Sequence, residues 1–121
     1  MSLEKPIGPE AILEKKKKYI MPCLAHFYKE PRQFVKGEMQ YLFDSEGRKY
    51  LDCFAGVSVI NCGHCNPEIN AEVVKQVQSL QHVCNTYLTE NFVNLAEKLA
   101  EVTPGDLQKT FFCSTGTEAN E

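Results

Sequence analysis

The clearest pattern of apolar and polar positions along the chain is helical and covers residues 67–81. On one side of this stretch, apolar residues recur three or four positions apart, at Ile69, Val73, Val77 and Leu80. Charged and amide residues occupy the opposite side. Asn66 can cap this helix, and Pro67 suits its first position. We therefore expect an amphipathic helix whose apolar stripe packs in a core.

Two other stretches also predict helices. Residues 91–102 place large apolar side chains on one face, and the Pro and Gly at residues 103–106 then end the helix. Residues 9–20 begin with a proline that suits a first helical position. The basic run at residues 15–18 is typical of a solvated helix face rather than of a site for an acidic partner.

Residues 34–53 predict a β-meander. Strand-like runs at residues 38–43 and 49–51 flank residues 44–47, whose Asp and Gly suit a turn. The segment that follows, residues 54–63, is small and apolar, and its residues by themselves indicate a buried linker.

The last residues of the chain combine three local patterns. Residues 110–113 are β-branched, aromatic or small and apolar, which is typical of a strand covered on both faces. Residues 114–117, Ser-Thr-Gly-Thr, form a turn, and residues 118–121 favour the first turn of a helix. Such a turn can aim backbone N–H groups at a phosphate, but it is also a common cap without a ligand. The pattern leaves both interpretations open.

Composition narrows the classes of partner. The 121 residues suffice for one modest domain, and 13 Lys and Arg against 16 Asp and Glu give a net charge of −3. This balance argues against nucleic acid as a main partner. No apolar run reaches the roughly 18 residues of a membrane span, and there is no signal-peptide pattern. We therefore expect no membrane partner and a cytoplasmic location.

Six cysteines allow more than one interpretation. An even count fits a disulfide framework, but the apolar neighbours of Cys53 and Cys113 favour reduced, buried thiols. Cys62 and Cys65 flank His64 at a spacing found in zinc sites, although no second pair completes four ligands. We expect no metal and an ordinary hydrogen-bonding role for His64. A non-enzymatic thiol or zinc-binding module remains an alternative.

Three stretches, in this order, resemble class III aminotransferases. Residues 41–52 resemble the family's Tyr-Leu-x-Asp-x-x-Gly-x-x-Tyr-Leu-Asp, and residues 63–69 resemble its Gly-His-Cys-His-Pro-x-Ile/Val. Residues 114–121, Ser-Thr-Gly-Thr-Glu-Ala-Asn-Glu, are similar to Asn-Ser-Gly-Thr/Ser-Glu-Ala-Asn-Glu/Asp. The motifs span most of the chain, and the likeness is strongest to the alanine–glyoxylate aminotransferase 2-like subgroup.

The resemblance implies an α/β fold, that of fold type I pyridoxal-phosphate enzymes, the aspartate aminotransferase-like group. Residues 1–62 are then expected to form the N-terminal helix and β-meander of the small domain. Residues 63–121 are expected to begin the large cofactor-binding domain and its parallel sheet. In the family, the Asp that pairs with the cofactor's pyridine nitrogen and the Lys that binds its aldehyde belong to motifs beyond Glu121. No catalytic residue is therefore expected in this chain.

The resemblance also implies site residues. Thr115, Gly116 and Thr117 are expected to grip the phosphate of pyridoxal 5'-phosphate, with Ser114 in place of the family's usual Asn. Val57 is expected on the substrate side, where its apolar wall disfavours an ornithine-type substrate. Tyr87 is expected to approach the site of the partner subunit in a homodimer.

The implied activity moves an amino group from an amino acid or ω-amine to an oxo acid such as glyoxylate or pyruvate. Pyridoxal phosphate supplies the electron sink for this chemistry. We expect the 121-residue chain to be inactive by itself. A phospholyase of the same family, which uses the cofactor for elimination, is the alternative enzyme.

Overall fold

The computed structural model describes residues 5–121, so residues 1–4 of the predicted small-domain segment lie outside the described residues. The chain divides into two units, Met1–Ser79 and Leu80–Glu121. The first unit contains α1 (Pro9–Tyr19), β1 (Phe34–Glu38), β2 (Tyr41–Asp44), β3 (Lys49–Leu51), α2 (Ala55–Ser58) and α3 (Pro67–Ser79). The second unit contains α4 (Glu90–Val102) and α5 (Gly116–Asn120). The expected domain boundary after residue 62 stays a prediction.

The three helices expected from the hydrophobic pattern are confirmed as α1, α3 and α4. Helix α3 begins at the predicted cap, where Asn66 Oδ1 accepts hydrogen bonds from the N–H groups of Glu68 (3.0 Å) and Ile69 (3.4 Å). Helix α4 ends where the Thr103 N–H and hydroxyl both donate to the carbonyl of Leu99. The start of α3 and the end of α4 are thus each marked by a side chain that hydrogen-bonds to a backbone group of the terminal turn. None of the helices among residues 5–121 is both long and apolar enough to cross a membrane.

The β-meander is confirmed as a three-stranded antiparallel sheet in the order β1-β2-β3. The expected continuous strand over residues 38–43 was wrong, because the chain turns at Met39 and Gln40. Met39 has a φ of 49° and exchanges two backbone hydrogen bonds with His64, at 2.8 and 2.7 Å. Its backbone groups are thus directed to a later segment of the chain, and Glu38 pairs with Tyr41 across the turn.

The turn between β2 and β3 is organised by Asp44, which is 3% exposed. Its carboxylate accepts hydrogen bonds from the Glu46 and Arg48 N–H groups, the Arg48 guanidinium at 2.7 Å and the Tyr50 hydroxyl at 2.8 Å. Burial alone raises the pKa of Asp44, but the bonds from Arg48 and Tyr50 outweigh it and hold this pKa well below its ordinary value. The carboxylate is therefore ionised and fully bonded at neutral pH.

The buried strand expected at residues 110–113 is not formed. A strand needs a neighbour to accept and donate its ladder hydrogen bonds, and the described residues pair no strand with this segment. Its ring contact is with a helix and not with a strand: Phe112 packs on Phe92 of α4 at a centroid distance of 4.9 Å. The sequence pattern predicts that residues 110–113 lie in a sheet, but the described residues supply no neighbouring strand for them.

No hydrophobic residue among residues 5–121 is buried. The apolar stripes of α3 and α4, expected in a core, are exposed: Leu95 is 52% exposed and Val77 is likewise 52% exposed. Cys53 and Cys113, expected to be buried, are exposed as well. The patterns are those of covered surfaces, and no described residue covers them.

Candidate functional site

The Ser-Thr-Gly-Thr turn is folded by a reciprocal pair of caps at the start of α5. Thr115 Oγ1 accepts a hydrogen bond from the Glu118 N–H at 3.2 Å. In return, Glu118 Oε2 accepts from the N–H groups of Ser114 (2.9 Å) and Thr115 (3.0 Å). This capping box is encoded by the Thr and Glu three residues apart. It fixes the chain direction into the helix through bonds among residues 114–118 alone.

The capping box decides which groups in the turn are available to a phosphate. The Glu118 carboxylate takes the N–H groups of Ser114 and Thr115, whereas those of Gly116 and Thr117 begin α5 and have no acceptor within the helix. A Cβ placed on Gly116 meets nothing within 4 Å, so the backbone is open to a ligand on that side. Thr115 keeps a hydroxyl proton to donate, because its oxygen only accepts in the cap. These residues fit an anion of phosphate size at Gly116 and Thr117.

Val57 lies in a left-handed turn of the backbone. All four residues of α2 have positive φ, with Gly56 at φ 59°, ψ 38° and Val57 at φ 62°, ψ 53°. The turn closes through hydrogen bonds from Ser58 N–H to the Phe54 carbonyl (3.1 Å) and from Val59 N–H to the Ala55 carbonyl (2.9 Å). Left-handed helical geometry is rare for a β-branched residue. The Val57 side chain is 69% exposed at this bend.

Asp52 holds the beginning of this turn. Its Oδ1 accepts hydrogen bonds from the N–H groups of Phe54 (2.9 Å) and Ala55 (3.0 Å). Its Oδ2 is bonded to His64 Nε2 at 2.6 Å. The His64 bond, followed by the two backbone bonds, lowers the pKa of Asp52 below its ordinary value. The hydrogen-bonding role expected for His64 is therefore confirmed.

The two ends of this segment are joined to neighbouring residues of the β1–β2 turn. The Asp52 N–H donates to the Gln40 carbonyl at 2.9 Å, and His64 exchanges its two backbone bonds with Met39. Gly37 makes room for the imidazole, since a Cβ on Gly37 stands only 2.7 Å from His64 Cβ. Residues 52–64 thus form a closed loop, beside a cavity of about 350 Å³ that Asp52, Ala55 and His64 help to line.

Tyr87 lies in the second unit, in the connection before α4. Its side chain is 70% exposed, and its N–H donates to the Cys84 carbonyl at 2.9 Å. The Thr86 hydroxyl bonds to Cys84 Sγ at 3.4 Å and lowers the pKa of this thiol. Tyr87 and residues 115–117 belong to one unit, while Val57 belongs to the other. The roles expected for these residues stay predictions.

The sequence patterns did not single out Asp52, His64 and Gly37 as partners. Asp52 and His64 are twelve positions apart in a segment without periodicity, so no local rule pairs them. Asp52 and His64 each stand inside a motif used for the resemblance, which was the available signal for them, whereas Gly37 lies outside these motifs. For the zinc alternative, no group of three His, Cys, Asp or Glu side chains among residues 5–121 is placed to hold a metal.

The family of the chain follows from comparison with known proteins. A profile of the family described as aminotransferase class-III matches residues 25–121. This match covers most of the sequence, and the chain belongs to the class-III aminotransferase family. The resemblance seen in the three motifs is thereby confirmed.

Individual proteins show which members of the family the chain resembles. Alanine–glyoxylate aminotransferase 2 homolog 2, mitochondrial, of Arabidopsis thaliana is 47% identical over 116 residues, which cover 94% of this chain and 24% of the relative. A solved phospholyase from Arthrobacter in complex with phosphoethanolamine has a TM-score of 0.81 at 30% identity, covering 90% of this chain and 25% of its own. The omega transaminase of Pseudomonas jessenii in complex with PMP has a TM-score of 0.74 at 28% identity, covering 88% and 25%.

These structural likenesses confirm the expected α/β fold of the aspartate aminotransferase-like group. The chain spans about a quarter of the length of the relatives it matches. That fraction agrees with the exposed apolar stripes of α3 and α4, since the longer relatives have far more polypeptide with which to cover them.

Proposed function

We propose that this chain is the N-terminal part of a pyridoxal-phosphate-dependent aminotransferase. The intact enzyme moves an amino group from an amino acid or ω-amine to an oxo acid, with glyoxylate or pyruvate as acceptor. One observation carries the proposal: the aminotransferase profile matches residues 25–121. The relatives are about four times as long as the chain, which supports its being a part of such an enzyme. The names of these relatives support amino transfer as the reaction.

The proposal gives the chain's own residues three tasks. The N–H groups of Gly116 and Thr117, with the hydroxyls of Thr115 and Thr117, hold the phosphate of the cofactor at the positive end of α5. Pyridoxal phosphate, when bound, supplies the electron sink of the reaction. Val57 forms an apolar wall on the substrate side. Tyr87 reaches the site of the partner subunit in a homodimer.

The cofactor assignment rests on the turn and on one relative. The Pseudomonas jessenii transaminase contains PMP, the amino form of pyridoxal phosphate. The turn in this chain offers an open glycine and backbone N–H groups, which suit the dianionic phosphate of such a group.

We also propose that the protein is located in the cytoplasm, which cell fractionation can test. The Arabidopsis relative is named as mitochondrial, and recovery with mitochondria would contradict this proposal.

The test uses the intact polypeptide that carries this chain, alongside residues 1–121 alone. With pyridoxal phosphate added, the intact protein is expected to develop a visible absorbance band that an amino donor removes and an oxo acid restores. The 121-residue chain is expected to show no such band, because the lysine that binds the cofactor belongs to a later motif in the family. An intact protein without the band contradicts the aminotransferase, and a donor-sensitive band in residues 1–121 contradicts the expected inactivity.

A phospholyase is the second candidate, because the Arthrobacter structure with a TM-score of 0.81 is one. The two reactions differ in what happens to the nitrogen. A phospholyase releases ammonia and phosphate from a phosphorylated amine without an oxo acid, whereas an aminotransferase needs the acceptor. Incubation of the intact protein with phosphoethanolamine alone distinguishes them: ammonia release favours the phospholyase, and its absence together with acceptor-dependent turnover of an amino acid favours the aminotransferase.

A further inference from the structure

The left-handed turn of α2 is a strained element that the rest of the loop must hold in place. Left-handed geometry is unfavourable for residues that carry a Cβ, and Ala55, Val57 and Ser58 all have positive φ. Such strain persists only where surrounding contacts over-determine the conformation, and it concentrates at functional sites. The contacts that hold this turn therefore help to identify its functional role.

The Asp52 carboxylate bridges the two ends of the loop. One oxygen accepts the Phe54 and Ala55 N–H groups at the start of the turn, and the other is bonded to His64 at the far end of the loop. The side chains of Asp52 and His64 are 9% and 19% exposed, so water competes little for these bonds. Both residues are also joined through their backbones to Gln40 and Met39 of the β1–β2 turn.

Val57 cannot leave its exposed position without disturbing this arrangement. Gly56 is packed so closely that a Cβ there stands 3.2 Å from Val59 and 3.3 Å from Ile60. The N–H groups of Val59 and Ile60 both donate to the Ala55 carbonyl at 2.9 Å. The turn is thus fixed on its inner side by packing and at its start by Asp52, and the Val57 side chain is displayed on the outside.

We propose that Asp52 and His64 are positioning residues that clamp the left-handed turn and so set the shape of the substrate wall formed by Val57. The pair contributes through geometry, without contact with the substrate. This inference rests on the proposed function for its substrate, since it assigns to the clamp the ability to discriminate between amino donors of different size. A loosened turn lets Val57 move, and the wall then no longer separates a small donor from a bulky one.

The test compares Asp52→Ala, His64→Ala and the conservative His64→Gln with wild type in the intact, cofactor-loaded protein. Glutamine retains an N–H that can donate to Asp52, whereas alanine does not. His26→Ala and Asp106→Ala, at exposed positions outside residues 52–64, are the matched controls. The first readout is amide hydrogen exchange at Ser58, Val59 and Ile60, which we expect to be about tenfold faster in both alanine variants of the pair.

The second readout is the ratio of kcat/KM for a small and a bulky amino donor. We expect this ratio to fall about tenfold in Asp52→Ala and His64→Ala, the scale on which an apolar wall discriminates one methylene. His64→Gln is expected to recover most of it, and the controls to match wild type. A general loss of folded enzyme lowers kcat for both donors alike and leaves the ratio unchanged.

Each outcome decides a separate claim. Unchanged exchange in the alanine variants overturns the clamp, and so does a His64→Gln variant that behaves like His64→Ala. Faster exchange with an unchanged donor ratio overturns the role in discrimination. If the wild-type intact protein transaminates no donor, the proposed function fails and the discrimination role falls with it, while the exchange rates still decide whether the pair holds the turn.

Discussion

Residues 33–64 and residues 80–121 are stabilised in different ways. In the first region, two carboxylates each organise a turn: Asp44 between β2 and β3, and Asp52 at the start of α2. In the second region, the polar contacts include short-range caps and the Lys98–Glu101 ion pair, the Phe92 and Phe112 rings pack together, and the apolar side chains of α4 are exposed. The first region is held in its conformation by its own polar groups. The second exposes apolar surface that other polypeptide must bury before it contributes to stability.

This difference has a simple physical origin. A carboxylate with several donors within a few residues is satisfied locally, and buried polar groups tolerate few alternative arrangements. Apolar surface is stabilised only when something removes it from water, and the partner can come from any distance along a chain. The relatives of this chain are about four times as long, so the polypeptide that covers α4 is expected beyond these residues.

Lowering the pH is expected to produce the largest difference in stability between the two regions. The pKa values of Asp44 and Asp52 are lowered by folding, so the stability they contribute is complete above the unfolded value of about 3.9. It is lost as the pH falls below that value towards the folded pKa, because the unfolded chain then binds more protons. In the intact polypeptide, amide protection, taken relative to the intrinsic exchange rate at each pH, is therefore expected to fall at residues 34–64 before residues 90–102 as the pH drops below about 4.

Asp44→Asn supplies the control for the acid experiment. This variant lacks the titrating group, so residues 41–50 are expected to be less protected at neutral pH and to lose less protection on acidification. Simultaneous loss of protection in both regions of the wild type, with the same profile in the variant, contradicts the contrast drawn between them.

The next largest effect is expected for Leu95→Ala on the apolar face of α4. Leu95 is 52% exposed among these residues, but its place in the amphipathic stripe indicates a covered position in the intact protein. The free energy of unfolding is then expected to fall by about 2–5 kcal/mol, the range for truncating a buried leucine. Denaturant unfolding of the intact polypeptide measures it, with Glu97→Ala on the same helix as the control. A Leu95→Ala loss no larger than that of Glu97→Ala contradicts the covered interface.

The contrast also explains how much of the structure could be predicted from the sequence. Helix α3 was predicted together with its Asn66 cap because its period and capping signals are local. The strand at residues 110–113 was predicted from side chains that suit a covered sheet, and it fails to form because its hydrogen-bonding neighbours are elsewhere. The Asp52–His64 pair was missed for the opposite reason: the bond is present, but no periodicity connects two residues across an irregular loop. The turn at residues 114–117 was predicted as a strand-to-helix turn, whereas the share of its N–H groups taken by Glu118 became visible only in the structure.

The smallest expected effect tests the capping box at residues 114–118, a part of residues 80–121 that is organised by polar groups of its own. Thr115→Ala removes the cap of α5 but leaves the backbone N–H groups of Gly116 and Thr117 in place, so the loss is that of a typical N-cap, about 1 kcal/mol. If the turn holds the cofactor phosphate, the same change weakens pyridoxal phosphate binding by about fivefold, since 1.4 kcal/mol corresponds to a factor of ten. Thr115→Ser keeps the hydroxyl and is expected to bind like wild type. Fluorescence titration of the intact protein with the cofactor measures both. A Thr115→Ala variant that unfolds like wild type shows that the cap adds nothing, and one that is destabilised yet binds unchanged separates the capping role of Thr115 from any role in holding phosphate.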